Sequence, residues 1–250
     1  MEENKLMSTR KVGLAISMFL LFVLAGARAQ TLDDVLQKHY AARGGLDKIK
    51  AIQTLYAEGR MSRMGMELAF LGYQKKPNKL RTEVTIQGQK IVQAFDGKSG
   101  WMIMPMMGSA DPQDSPQEMT EQMEEQADLD GFLVDWQEKG HKVELVGKED
   151  VEGTDAYHIK VTTKNGKVRD IYIDADSYLE IKQTGKVTQQ GQEIEVESLS
   201  GSYKQVDGVM MAFSVESKVR GQAVGQMVID TVIINKEIPD SLFVKPAAKK

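Results

Sequence analysis

The sequence predicts a mainly β fold of antiparallel strands with few helices, either a sandwich or a barrel. Three observations predict it. Apolar and polar residues alternate at period two in segment after segment, and turn signals separate those segments at even spacing. Helical periodicity is confined to the start of the domain and to one insertion. No internal repeat or linker divides the chain, so a single domain is expected over residues 30–250.

The elements follow in order. Lys5, Arg10 and Lys11 precede an apolar run from Val12 to Ala25, and small residues then frame Ala27-Arg28-Ala29 before Gln30. A positive start, a short apolar stretch and an A-x-A ending form a secretory signal over residues 1–29, cleaved after Ala29. The run is shorter than the roughly 20 apolar residues a spanning helix needs. Thr31 with Asp34 three residues on is an acidic capping box, and Leu32, Val35, Leu36 and Tyr40 line one face of the helix it opens. Gly44-Gly45 ends that helix, and Leu46 to Ile52 reads as a short second one.

Period two then takes over. Met64, Met66, Leu68 and Phe70 fall on one side of a strand, and Ile91 and Phe95 on one side of another. Asp96-Gly97 turns the chain towards Trp101. Next comes the insertion: Ser115, Pro116 and Glu118 read as N-cap, first-turn proline and capping-box acid of a helix over 115–130, with Met119, Met123 and Ala127 along a narrow apolar stripe. Strands resume with Tyr157, Ile159 and Val161 on one face, and Asn165-Gly166 marks a tight hairpin into 167–174. Ile194 and Val196 alternate with glutamates, Val209, Met211, Phe213 and Val215 share a face, and 227–235 supplies a last strand.

Composition narrows the function. Cysteine is absent, so no thiol is available for lipid attachment or disulfides, and the core of an exported domain must suffice alone. Removing residues 1–29 takes away four basic and two acidic side chains and moves the formal charge from −4 to −6. A mildly acidic domain is a poor partner for nucleic acid or anionic lipid headgroups.

Catalytic signatures are missing. The chain holds no G-x-S-x-G elbow, no H-E-x-x-H, no phosphate-binding glycine loop and no Cys nucleophile, so no enzyme and no cofactor are expected. His39, His141 and His158 are scattered without ligand spacing, and Asp170, Asp174 and Asp176 lack the calcium-loop pattern, with Asp174-Ala175-Asp176-Ser177 reading as a turn. Methionine is the unusual feature: 12 of the 15 lie beyond the leader, and seven of these cluster at Met61, Met64 and Met66 and again at Met102, Met104, Met106 and Met107. Methionine is unbranched and polarizable, so such clusters either fill an irregular core or line a surface that adapts to an apolar ligand.

Several blocks resemble a known family. Lys75-Lys76-Pro77-Asn78-Lys79-Leu80-Arg81 resembles the basic, proline-containing strand entry of the periplasmic outer-membrane lipoprotein carriers, LolA and LolB. Asp96-Gly97-Lys98-Ser99-Gly100-Trp101 with Pro105 is similar to that family's D-G-K-x-x-W-x-x-x-P hairpin, and Ile238-Pro239-Asp240-Ser241-Leu242-Phe243 resembles its closing segment. The resemblance implies an incomplete antiparallel β-barrel with helices covering its opening as a lid, and acyl chains bound between the two. It also implies a lid contact at Lys76, where the carrier proper has Arg; Lys cannot reproduce the planar bidentate contacts of that guanidinium.

The leading expectation is therefore a soluble, monomeric periplasmic carrier of lipoprotein acyl chains or another amphiphile, loaded by an inner-membrane lipoprotein-releasing transporter. Its expected lipid-binding residues are Met66, Leu68, Phe70, Phe95, Trp101, Met119, Met123, Met211 and Phe213. The alternative is a periplasmic sensor or protein-interaction module on the same fold. A lipid-modifying esterase ranks third, because no nucleophile and base can be named.

Overall fold

The computed structural model describes residues 30–63, 65–105, 109–189 and 191–247. The leader, Met64, Met106 and Met107 lie outside the described residues. From Thr31 onward the chain is one compact unit.

A first meander comprises β1 (Thr54–Arg63), β2 (Met66–Lys75), β3 (Lys79–Ile86), β4 (Gln89–Phe95), β5 (Gly100–Met104) and β6 (Ser109–Asp114). A second comprises β7 (Lys142–Val151), β8 (Thr154–Thr162), β9 (Val168–Asp174), β10 (Glu180–Gln189) and β11 (Gln192–Gly201). β12 (Lys204–Val206) and β13 (Val209–Met211) pair as a separate ribbon. β14 (Ser214–Val219) and β15 (Gln222–Ile234) then splice the meanders into one antiparallel sheet of 13 strands, in the order β6-β5-β4-β3-β2-β1-β15-β14-β11-β10-β9-β8-β7. β6 and β7 are its free edges, so the barrel stays open. The expected run of one face through Val209, Met211, Phe213 and Val215 breaks at Ala212 and Phe213, where the chain leaves the ribbon for the sheet.

Residues paired across a ladder share a face, so register decides what each face carries. The inner face takes the helices. α1 (Leu32–Ala42) opens on the expected reciprocal cap: Thr31 Oγ1 accepts from the Asp34 amide at 3.2 Å, and the Asp34 carboxylate accepts from the Thr31 amide at 3.0 Å. Val35, Leu36 and Tyr40 of α1 and Ile49 of α2 (Leu46–Lys50) bury against Ile159, Val161, Ile171 and Ile173, which fills the curve over β8 and β9. α3 (Gln117–Gln126) touches β3, β4 and β5 and also reaches β10, so it straps the open curve from one wall towards the other.

The start of α3 corrects the expectation. Pro116 is the cap and Ser115 makes no capping bond. The Ser115 amide instead donates to the Gly100 carbonyl at 2.9 Å, extending the β5–β6 pairing by one residue and delaying the helix. Gly100 is also where α3 seats: a Cβ there would lie 2.5 Å from the Met123 methyl and 2.6 Å from Thr120 Oγ1. Gly100→Ala is therefore expected to cost about 1–3 kcal/mol by overpacking, read as a lower denaturation midpoint.

The outer face is held by the C-terminal segment, which crosses from β15 towards β6. Thr54 Oγ1 donates to the Lys236 carbonyl, Lys75 Nζ to the Ile238 carbonyl, and Arg81 Nη1 to the Leu242 carbonyl, at 2.6, 2.9 and 2.9 Å. Phe243 at its end is fully buried. No helix among the described residues is long and apolar enough to cross a membrane.

Candidate functional site

Side chains do not fill the curve of the first meander. One transverse row, Leu55, Gln74, Leu80 and Phe95, is set by register across β1 to β4. Leu80 and Phe95 pack with Met123 and Ala127 of α3 and its end, with Met119 beside them, and plug that end. Further along the strands a hollow of about 610 Å³ remains, within the range of roughly 300–1,000 Å³ common for small-molecule sites. β1 contributes Leu55, Ala57 and Met61, and β2 contributes Leu68 and Phe70. Val84, Ile86, Ile91 and Met104 form the next wall, and Met227 and Ile229 of β15 close the far side. Alternation places these apolar side chains inward on every strand, and Gln74, Thr82 and Gln93 interrupt the apolar lining with polar groups.

The expected lining residues divide. Leu68 and Phe70 line the hollow. Met66 shares their face but sits at the rim, 46 % exposed. Phe95, Met119 and Met123 belong to the packed plug and not to the open lining. Met211 lines a second, adjoining hollow.

Trp101 and Phe213 are corrections. Phe95 pairs with Gly100, so Trp101 falls opposite Ala94 on the outer face. There it is 1 % exposed, its Nε1 donates to the Phe243 carbonyl at 2.6 Å, and the Arg81 guanidinium lies 5.4 Å from its ring centroid. Phe213 is buried at the irregular link between β13 and β14, beneath the Lys204 ammonium 4.4 Å away. Neither lines the hollow.

Ion pairs tie down the strap. Glu125 of α3 meets Arg169 at 2.5 Å and Lys167 at 2.9 Å, and Glu121 meets Lys167 at 3.2 Å. Arg169 lies flat over Gly185, where a Cβ would come 2.6 Å from its Nη1. At the other end the Gln74 amide donates to the Gln126 carbonyl at 2.6 Å. Just beyond α3, Lys76 Nζ lies 2.9 Å from Asp130 and donates to the Lys50 carbonyl at 2.9 Å. A single ammonium thus bridges the end of α2 and the segment that follows the strap.

The adjoining hollow, about 290 Å³, carries polar groups that sequence reasoning missed. His39, Arg43, Glu180 and Tyr203 share it with Met210, Met211 and Val232. Burial pushes the Glu180 carboxyl up to about 7, with the Arg43 charge opposing. Burial also holds His39 down near 4, reinforced by Arg43 and opposed by the Tyr178 carbonyl, which accepts from Nδ1 at 2.8 Å. A proton titration followed by NMR should show the His39 ring neutral until about pH 4. Because its folded value lies below the unfolded one, His39 adds stability above about pH 6.5 and loses it as pH falls towards 4. Glu180 runs the other way: its raised value favours the fold below about pH 4.5, and that contribution fades as pH rises through 7. Among the described residues no group of three His, Asp or Glu side chains could hold a metal ion.

Solved structures share this architecture. A LolA superfamily protein from Nitrosomonas europaea superposes with a TM-score of 0.57 over 87 % of this chain and 99 % of its own, at 13 % identity. The chain has the LolA-like fold. An outer-membrane lipoprotein-sorting protein domain from Vibrio parahaemolyticus matches at a TM-score of 0.54, 10 % identity, over 84 % of this chain and 94 % of its own. A DUF1329 family protein from Desulfovibrio piger reaches 0.52 at 14 % identity, over 84 % and 97 %. No family model matches the sequence, and no curated protein does. The LolA-like fold is thus held in common at very low identity.

Proposed function

We propose that this protein is an exported periplasmic carrier that binds lipoprotein acyl chains, or another amphiphile, in the inner hollow. The observation that carries the reading is the unfilled, mainly apolar hollow beside the end of α3, lined from β1, β2, β3, β4, β5 and β15. Each methylene moved from water into such a lining is worth roughly 0.8 kcal/mol. About ten of them match the roughly 8 kcal/mol of micromolar binding before the cost of association is met. The LolA-like neighbours, one of them named for lipoprotein sorting, support the class of ligand. Lipoprotein sorting, with an inner-membrane transporter as donor, belongs to the same proposal. In this reading Lys76 is a lid contact, supported by its bonds to the end of α2 and to Asp130 after α3.

Native mass spectrometry of the protein purified from its own host without detergent tests this. The expected spectrum carries an added mass that resolves on extraction into a lipid or an acylated peptide. A bare polypeptide mass from freshly exported protein would contradict it.

A further inference from the structure

The two hollows share a wall. Leu55, Ala57 and Ile229 line both, so the acyl-sized chamber lies directly beside the polar one beneath α1. The charged groups around that junction are nearly all matched. Glu125 is held by Arg169 and Lys167, Asp128 by Lys139, and Asp130 by Lys76. His39 is kept neutral against the Tyr178 carbonyl, and the Tyr203 hydroxyl donates to the backbone carbonyl of Glu180 at 2.6 Å. Asp130 Oδ1 has the Lys76 charge beside it but takes no hydrogen bond, and two further side chains have neither kind of partner. Among the described residues neither the Arg43 guanidinium nor the Glu180 carboxyl has a hydrogen-bond or ion-pair partner, although both line this hollow and Glu180 feels the Arg43 charge.

Resting on the carrier reading, we propose that Arg43 and Glu180 form a polar pole that receives the anionic head of a single-chain amphiphile whose tail lies in the larger hollow. The guanidinium fork takes a carboxylate or phosphate through two parallel hydrogen bonds. With its carboxyl protonated, Glu180 donates a further hydrogen bond to the same head and leaves Arg43 as the one uncompensated charge of the pole. An anion there removes the cost of a partly buried, unpaired cation. One pole and one chamber of about 610 Å³ suit one tail. As pH rises and Glu180 ionises, it repels the head and competes for Arg43, so affinity for anionic amphiphiles falls.

The test is displacement of a neutral probe, N-phenyl-1-naphthylamine, by palmitate, hexadecyl phosphate and hexadecanol at pH 6 and pH 9. The two anionic ligands should bind at least tenfold more tightly than hexadecanol at pH 6 and lose most of that preference at pH 9. Arg43→Met should abolish the preference while leaving hexadecanol affinity unchanged, which shows the chamber intact. Glu180→Gln should keep the preference at both pH values. Whichever anion binds more tightly identifies the source, a fatty acid or a phosphorylated lipid. Equal affinity for all three ligands in the wild type, or a preference that survives Arg43→Met, overturns the polar pole but leaves the carrier reading standing. Failure of every ligand to displace the probe overturns both.

Discussion

Trp101→Ala is expected to cost about 3–5 kcal/mol of stability while leaving ligand affinity of the folded protein unchanged. The ring is 1 % exposed on the outer face and packs with Val92 and Ala94. Its removal would leave a cavity under the C-terminal segment, strip the Phe243 carbonyl of its 2.6 Å donor, and free the Arg81 guanidinium that lies over the ring. None of those contacts reaches the inner hollow. Chemical denaturation with a parallel ligand titration separates the two quantities. A loss of affinity at unchanged stability would place the ring inside, against the register.

Met123→Glu should be as damaging, and again through stability. Met123 is 3 % exposed and packed with Leu80, Phe95 and Ala127, and its methyl abuts Gly100. A carboxylate there would be buried without a partner on a helix already carrying Glu121, Glu124 and Glu125. A loss of about 3–5 kcal/mol, or protonation of the new carboxyl, is the expected outcome. Met119→Glu, one helical turn earlier and half-buried, should cost far less. Thermal melts of the two variants check the contrast; equal melting temperatures would mean that α3 is not seated on Phe95.

The strand pattern was legible because alternation is a local property. Tyr157, Ile159 and Val161 bury together, while His158 faces the other way, between Glu149 and Asp170 and stacked on Tyr172. The Thr31 capping box and the Asn165-Gly166 hairpin were equally local. What alternation within a strand leaves open is how neighbouring strands align. Phe95 and Trp101 each sit on an apolar stripe, but the four-residue loop 96–99 pairs Phe95 with Gly100 and so sends Trp101 to the opposite face. Loop length alone carried that signal. The Arg43–Glu180 pole had no sequence signal, since the end of a helix and the start of β10 meet only through the fold. Pro116 shows the limit of capping patterns: a backbone bond from Ser115 to β5 won over the side-chain cap.

Fluorescence titration of an exogenous fatty acid into the wild type and Val84→Glu tests the central claim, that the inner hollow is the ligand site. Val84 lines the middle of the hollow and is half-buried, so a charge there can stay hydrated in the empty protein but not beside an acyl chain. The wild type should bind in the micromolar range, and Val84→Glu at least tenfold more weakly with its melting temperature within a few degrees. Equal affinity in the two proteins would contradict the account, because a ligand indifferent to a carboxylate at Val84 is not in the hollow.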